Sequence, residues 1–291
     1  MIGFNKRSSI EGLVLAAGKS SRFNFKNNVF KKYFLKLNNS NLLCYILVGM
    51  IRAGIKKITI VSSKILMRKK FKKILFNNLQ HLIPDYKELQ IRIVENANPE
   101  RENGYSLSLG LDSISAKYTL LSMADHIFSK NIYSRILKNY NGHDILLATD
   151  PMQSKGYYDL DDATKINGFK SLILNAGKGL SEYNRLDMGV FVLKTNTIRK
   201  IGQKLKSQRK KFGVKDIILK ATESDLEVRY CDIPDVIWLD VDNFSMYNRL
   251  KRLFDKPSKI NPFEINEMAL KNNLEHNYDE LVKFAVDSSS N

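Results

Sequence analysis

Apolar residues recur along this chain in two alternating rhythms. Leu13-Val14-Leu15-Ala16-Ala17 is an unbroken apolar run stopped by Gly18, which predicts a buried parallel strand opening into a loop. Residues 42–53 are apolar over the length of a helix, and Gly54 follows as a C-capping residue. The same reading gives strands at 57–61, 90–94, 118–123 and 144–149. Helices are predicted between them at about 64–79, 105–114 and 130–140. This alternation implies right-handed crossovers and a mainly parallel sheet. In such a sheet, ligands bind beyond the carboxyl ends of the strands, so chemistry is sought just after each strand.

The rhythm changes from 150 to 235. Strands are predicted around 170–174 and 189–193, then a helix, then a strand at 227–231. This pattern predicts a mixed-sheet extension that covers a substrate. Val236-Ile237-Trp238-Leu239-Asp240 predicts a last strand, with a helix at about 243–254. Pro257, Pro262 and Ser288-Ser289-Ser290 mark a polar, loosely attached helical tail over 256–291. The expected organisation is one α/β domain over 1–255 and that tail, which suits a chain of 291 residues.

Composition adds compartment and charge. No run approaches the ~20 apolar residues needed to cross a bilayer, and Met1 to Glu11 has no signal-peptide core. A cytoplasmic protein is expected. Cys44 and Cys231 are two isolated cysteines, expected to fill core in a reducing compartment. Lysine and arginine number 47 against 30 acidic residues, a net charge of +17. Two clusters stand out, Lys69-Lys70-Phe71-Lys72-Lys73 and Lys204-Leu205-Lys206 through Arg209-Lys210-Lys211, both in helix-like stretches. They fit solvated faces. A polyanionic partner such as RNA or an anionic lipid surface is the competing reading.

The most informative stretch is Leu15-Ala16-Ala17-Gly18-Lys19-Ser20-Ser21-Arg22-Phe23. Small residues after a buried strand let backbone N–H groups close around phosphates, and Arg22 adds a cation with bidentate geometry. Gly18-Lys19-Ser20 imitates the end of a P-loop, but Leu13 stands where the motif needs its first glycine. A dinucleotide GxGxxG loop fails because Ser20 and Phe23 replace its later glycines.

Acidic residues follow two later strands. Met123-Ala124-Asp125-His126 puts a carboxylate at a strand end near the middle of the sheet, a position suited to Mg²⁺. Ile127 stands where a glycosyltransferase Asp-x-Asp would have its second acid. In Trp238-Leu239-Asp240-Val241-Asp242, alternation puts Asp240 and Asp242 on one side of a strand, where they repel unless a cation is near. Asp125 with Asp242, helped by Asp240, makes an oxygen-rich candidate metal site. In Glu102-Asn103-Gly104-Tyr105-Ser106-Leu107, Gly104 would let a base approach the backbone, and Ser106 would cap the helix or meet ribose or phosphate.

In chain order over about 10–254, these segments resemble the sugar-phosphate nucleotidyltransferases, the MobA-like NTP transferases. The likeness is greatest to the archaeal inositol-1-phosphate cytidylyltransferase branch. It rests on the Ala-Ala-Gly loop with Arg22, and on 102–107, 123–126, Ala-Thr-Lys-Ile at 163–166, Leu-Asp-Met-Gly-Val-Phe-Val-Leu at 186–193 and 238–242. The resemblance implies a Rossmann-like three-layer sandwich of the glycosyltransferase-A-like kind and an Mg²⁺-dependent transfer of CMP from CTP to inositol 1-phosphate. It also implies a separate membrane synthase that takes the CDP-inositol, with no nucleic-acid partner.

By position, the resemblance gives nucleotide contacts to Leu15, Ala16, Ala17, Gly18, Lys19, Ser20, Arg22, Lys32, Asn103, Gly104 and Ser106. Arg22, Lys32 and Asp125 become catalytic, and Asp125, Asp240 and Asp242 hold the metal. Lys165 contacts the acceptor phosphate and Asp187 the acceptor hydroxyls. Relatives place Pro after the lysine; here Tyr33 follows Lys32 and Lys31 precedes it, so either lysine is eligible and Lys32 is favoured. Phosphocholine or a sugar 1-phosphate is the alternative acceptor, and a non-catalytic basic RNA-binding module is the alternative class.

Overall fold

The structure is a computed structural model that describes residues 9–23, 31–37, 40–82, 89–129, 131–152 and 158–255. The predicted tail at 256–291 lies outside the described residues. The first half runs β1 (Ile10–Ala16), β2 (Lys36–Leu37), β3 (Ser40–Asn41), α1 (Leu42–Arg52), β4 (Lys57–Ser62), α2 (Lys64–Met67), α3 (Lys69–Leu82), β5 (Gln90–Glu95), α4 (Glu102–Asp112) and β6 (Tyr118–Met123). Then come β7 (His126–Phe128), α5 (Ile132–Asn139), β8 (Ile145–Asp150), β9 (Lys165–Phe169), β10 (Leu172–Gly177) and β11 (Arg185–Lys194). The chain goes on through α6 (Thr195–Gln208), α7 (Val214–Thr222), β12 (Val228–Asp232), β13 (Trp238–Asp240) and α8 (Phe244–Asp255).

Nine strands form one sheet in the order β5-β4-β1-β6-β11-β8-β12-β10-β9. The first four are mutually parallel, as the helical crossovers between them require. β11 enters antiparallel between β6 and β8, and β12 returns parallel to β8. The far edge is the antiparallel β9–β10 hairpin. The parallel arrangement read from the first half therefore describes that half, and the second half is mostly antiparallel.

Strand alternation builds a core on each face of the sheet. Val14 and Ala16 of β1, Leu120 of β6, and Val190 and Val192 of β11 pack with α1, α3 and α5 on one face. Leu13, Leu15, Leu121, Phe191 and Leu193 pack with α4, α6 and α7 on the other. The result is a three-layer sandwich. α1 is buried from Leu42 to Met50, and the Asn41 side chain caps it by accepting from the Cys44 N–H at 3.1 Å.

Two local expectations change. The strand expected around 170–174 begins only at Leu172, and an unexpected strand, β9, precedes it across a two-residue turn: Lys170 and Ser171 take φ +47° and +68°, and Phe169 pairs with Leu172. The turn itself lacks glycine or asparagine, and the Asn167-Gly168 pair that would usually mark a hairpin lies inside β9 instead. The second basic cluster is not wholly helical. α6 ends at Gln208, and Arg101 holds the following bend by donating to the carbonyls of Lys206, Arg209 and Lys210.

Candidate active site

The carboxyl ends of β1 and β6 open into a cleft of about 550 Å³. Beyond β1, Ala17, Gly18, Lys19 and Ser20 lead into a short 3-10 turn, Ser21–Phe23. Phe23 is buried in a third apolar cluster with Leu239 and Leu250, edge-on to Phe244. Anchoring that ring orients the preceding residue. Arg22 Nη1 meets Asp242 at 2.7 Å, and its two terminal nitrogens grip both oxygens of Asp162, at 2.5 and 3.1 Å.

The Ser20 hydroxyl accepts the Lys32 N–H at 3.0 Å, tying the loop to the next 3-10 turn, Lys32–Phe34. Lys32 Nζ lies 2.7 Å from Asp125 and also pairs closely with Asp242. Burial opposes its charge, but Asp125, Asp240 and Asp242 outweigh that and hold its pKa above the ordinary lysine value. Lys31 turns instead to the Lys19 carbonyl at 3.4 Å, its pKa lowered by burial and by Lys19.

The acidic residues come from two chain segments joined by pairing. β7 and β13 form an antiparallel ribbon that sets Asp240 opposite His126, and the Val241 N–H donates to the Asp125 carbonyl at 2.9 Å. His126 Nδ1 lies 2.9 Å from Asp125, and its ring stacks on Trp238. Trp238 also stacks with Tyr158, and its Nε1–H donates to Asp150 at 2.9 Å.

Burial of Asp125 opposes its charge, but Lys32 and His126 hold it well below the usual carboxylate range. Burial, with the charges of Asp125 and Asp242, pushes Asp240 up to about 7. His126 is desolvated too, yet Asp240 and Asp125 raise it to about 9.

This donor set fits a hard divalent cation. Among the described residues, the buried Asp240 Oδ1 has no hydrogen-bond partner. It is the residue common to two groups whose ligand atoms lie within 4.8 Å of one another: Asp125, His126 and Asp240, and Asp162, Asp240 and Asp242. Half-buried carboxylates in such number need compensating cations, of which Arg22, Lys32 and Lys178 supply part. Asp125 and Asp242 do not share one such group; they share the ammonium of Lys32.

The other expected site residues divide. Leu15, Ala17, Gly18, Asn103 and Ser106 line the cleft, whereas the Ala16 side chain joins the core. Ser106 does not cap α4. It sits inside the helix, where its buried hydroxyl accepts from Asn96 Nδ2 at 2.9 Å.

Gly104 faces protein rather than an open base site. Its N–H donates to the Phe212 carbonyl at 3.1 Å, and a Cβ there would stand 2.6 Å from the Gly213 oxygen. Asn103 supports the same junction by accepting the Val214 N–H at 2.9 Å. The sequence reading missed this because the partner backbone lies over a hundred residues away.

On the opposite wall, Asp187 lines the cleft, accepts the Gly189 N–H at 2.7 Å and is pushed up to about 6 by burial. Lys165 is not part of the lining. Its Nζ donates to the Lys178 carbonyl at 2.7 Å and lies over the Tyr183 ring. Lys178 lines the cleft in its place and meets Asp162 at 2.5 Å. Sequence reasoning passed over both Asp162 and Lys178. The acidic run Asp159, Asp161, Asp162 in a basic chain was a usable signal for the first; nothing local marks the second.

Residues 12–181, more than half of the chain, match the family of MobA-like NTP transferase domains. The chain is 25% identical over 244 residues to a bifunctional IPC transferase and DIPP synthase from Aquifex aeolicus, covering 84% of this chain and 51% of that protein. It is 26% identical over 212 residues to the protein of the same name from Thermococcus kodakarensis, covering 70% and 46%. The chain thus spans about half the length of the curated relatives it matches. Its fold is similar to that of the inositol-1-phosphate CTP transferase from T. maritima, with a TM-score of 0.68, 20% identity, and 86% and 98% of the two chains covered. A putative glucose-1-phosphate thymidylyltransferase from Bacillus anthracis gives the same TM-score at 15% identity, covering 87% and 98%.

Proposed function

This chain belongs to the family of MobA-like NTP transferase domains, and on that premise we propose that it transfers CMP from CTP to inositol 1-phosphate, releasing pyrophosphate. The observation that carries the chemistry is the meeting of Arg22 and Lys32 with Asp125, Asp240 and Asp242 at the mouth of one cleft. The names of the relatives and of the T. maritima structural neighbour support CTP and an inositol phosphate as the substrates.

Two anions must meet in this reaction, so positioning and charge neutralisation carry most of the catalysis. The Gly18 loop offers backbone N–H groups to the triphosphate, and Arg22 holds its outer phosphates. Lys32 carries a fixed positive charge beside the α-phosphate, where an acceptor phosphate oxygen attacks in line. Asp240, paired with Asp125 on one side or with Asp242 on the other, would hold Mg²⁺, which supplies further neutralisation of the phosphate oxygens. Asn103 and Ser106 line the nucleoside side. Asp187 faces the acceptor hydroxyls, and the segment from β9 to the start of β11 forms the wall that covers them. No residue acts as a covalent nucleophile.

No helix among the described residues is long and apolar enough to cross a membrane. We further propose a reaction in the cytoplasm whose product passes to a membrane synthase activity. The test is pyrophosphate release with Mg²⁺, each NTP being offered with inositol 1-phosphate, phosphocholine and glucose 1-phosphate. Release with CTP and inositol 1-phosphate alone is expected. Release with another pair keeps the chemistry and replaces the acceptor; silence with every pair overturns the proposal.

A further inference from the structure

Asp162 is held from two sides by cations that belong to different parts of the fold. Arg22 comes from the loop after β1 and binds both carboxylate oxygens. Lys178 comes from the base of the β9–β10 hairpin, 2.5 Å from Asp162 Oδ1. The hairpin register explains the meeting. Gly177 pairs with Lys165, so the residue after β10 lies beside the segment that enters β9. Lys165 fixes the Lys178 main chain through the Lys178 carbonyl, and Asp187 N–H anchors the same segment at the Thr164 carbonyl, 2.9 Å away.

The cations are open to solvent and the anion between them is covered. The side chains of Arg22 and Lys178 are 51% and 52% exposed, and that of Asp162 is 22% exposed. A guanidinium fork and an ammonium converging on one carboxylate offer the donor pattern that a phosphate monoester accepts. A phosphate monoester has three acceptor oxygens and close to two negative charges, where Asp162 has two oxygens and one charge. Lys178 and Asp162 line the cleft, and Arg22 stands half exposed beside them.

We infer that Asp162 is a built-in substitute for the acceptor's phosphate group: Lys178 forms the acceptor-phosphate subsite, Arg22 borders it from the triphosphate side, and the incoming phosphate displaces Asp162 from Lys178. This rests on the transferase reading for the identity of the acceptor. The clamp itself is defined by charge and geometry alone. Asp162, with Asp242 also on Arg22, keeps both cations in place before substrate arrives, and in doing so it competes with substrate. Lys178 is the binding residue, and Lys165 positions it.

Binding of inositol 1-phosphate and of inorganic phosphate should be measured by calorimetry on the full chain with EDTA present. Removing the internal competitor in Asp162→Asn is expected to tighten binding of both by about fivefold or more. Adding Lys178→Gln to that variant should abolish the gain, and Lys178→Gln alone should weaken binding. In the turnover assay, Asp162→Asn should lower the acceptor KM, and Lys178→Gln should raise it about tenfold while leaving the KM for CTP within about twofold.

Unchanged or weaker anion binding by Asp162→Asn overturns the inference. So does loss of Mn²⁺ affinity in that variant, which would make Asp162 a metal ligand, and so does a change confined to the KM for CTP. If the wild-type chain turns nothing over, the transferase reading fails while the calorimetric series still decides whether the clamp exists.

Discussion

The wall of the cleft proposed for the nucleotide takes its cations from one stretch, Arg22 and Lys32 around the loop after β1, locked by the buried Phe23 and by the Ser20 contact to the Lys32 N–H. The wall proposed for the acceptor is assembled from Asp162 before β9, Lys178 after β10 and Asp187 near the start of β11, brought to one cleft because those strands pair antiparallel. A wall built from local backbone keeps its geometry when the rest of the chain varies. A wall built from strand register can exchange one side chain, or lengthen one hairpin, without touching the phosphate loop. Chemistry common to a family and an acceptor peculiar to each member can be separated in this way.

Four experiments probe that contrast, from the largest effect to the smallest. Asp125→Ala removes a carboxylate that serves Lys32, His126 and the candidate metal site at once. Turnover should fall at least about a thousandfold, with the circular dichroism spectrum unchanged, and a loss below about tenfold would contradict its role. Next, Lys32→Met should cost about a hundredfold in kcat and Lys31→Met less than about fivefold. Equal effects would show that the local wall does not select one lysine.

Gly104→Ala tests a junction between distant segments. A Cβ forced against the Gly213 backbone should destabilise the fold by about 1–3 kcal/mol, read as a lower urea midpoint. The KM for CTP should be unchanged. A raised KM with unaltered stability would restore Gly104 to the base site.

The smallest effect concerns pH. Burial pushes the Cys44 thiol up to about 12 and Cys231 up to about 11, both above the unfolded value of about 8.5. Both thiols stay neutral in the folded chain while the unfolded chain ionises, so stability should fall as pH rises from about 8.5 toward those folded values. Urea unfolding at pH 7 and pH 10 should show the loss, and Cys44→Ala should remove part of it. An unchanged pH dependence in that variant would sink the assignment.

Much of this molecule is legible in its sequence. The apolar run at 13–17, the helix from Leu42 and the strand at 118–123 are local patterns that burial can only reinforce, and the structure places these elements as read. The loop from Ala17 to Arg22 is legible for the same reason, since strand, small residues and cation are neighbours in the chain. The β9–β10 turn is not: Lys170 and Ser171 are ordinary residues carried into positive φ by the pairing on either side.

The sequence by itself determined the layering of the first half, the family likeness and the residues from which a charged site could be made. Tertiary structure decided which of them meet. It turned Lys32 inward and Lys31 aside, gave Gly104 to a helix junction, and set Lys178 where Lys165 was expected. The reason is range: periodicity and short motifs record what a residue does with neighbours a few positions away, while side chains more than a hundred residues apart, such as Arg22 and Asp162, are brought together only by sheet order and register.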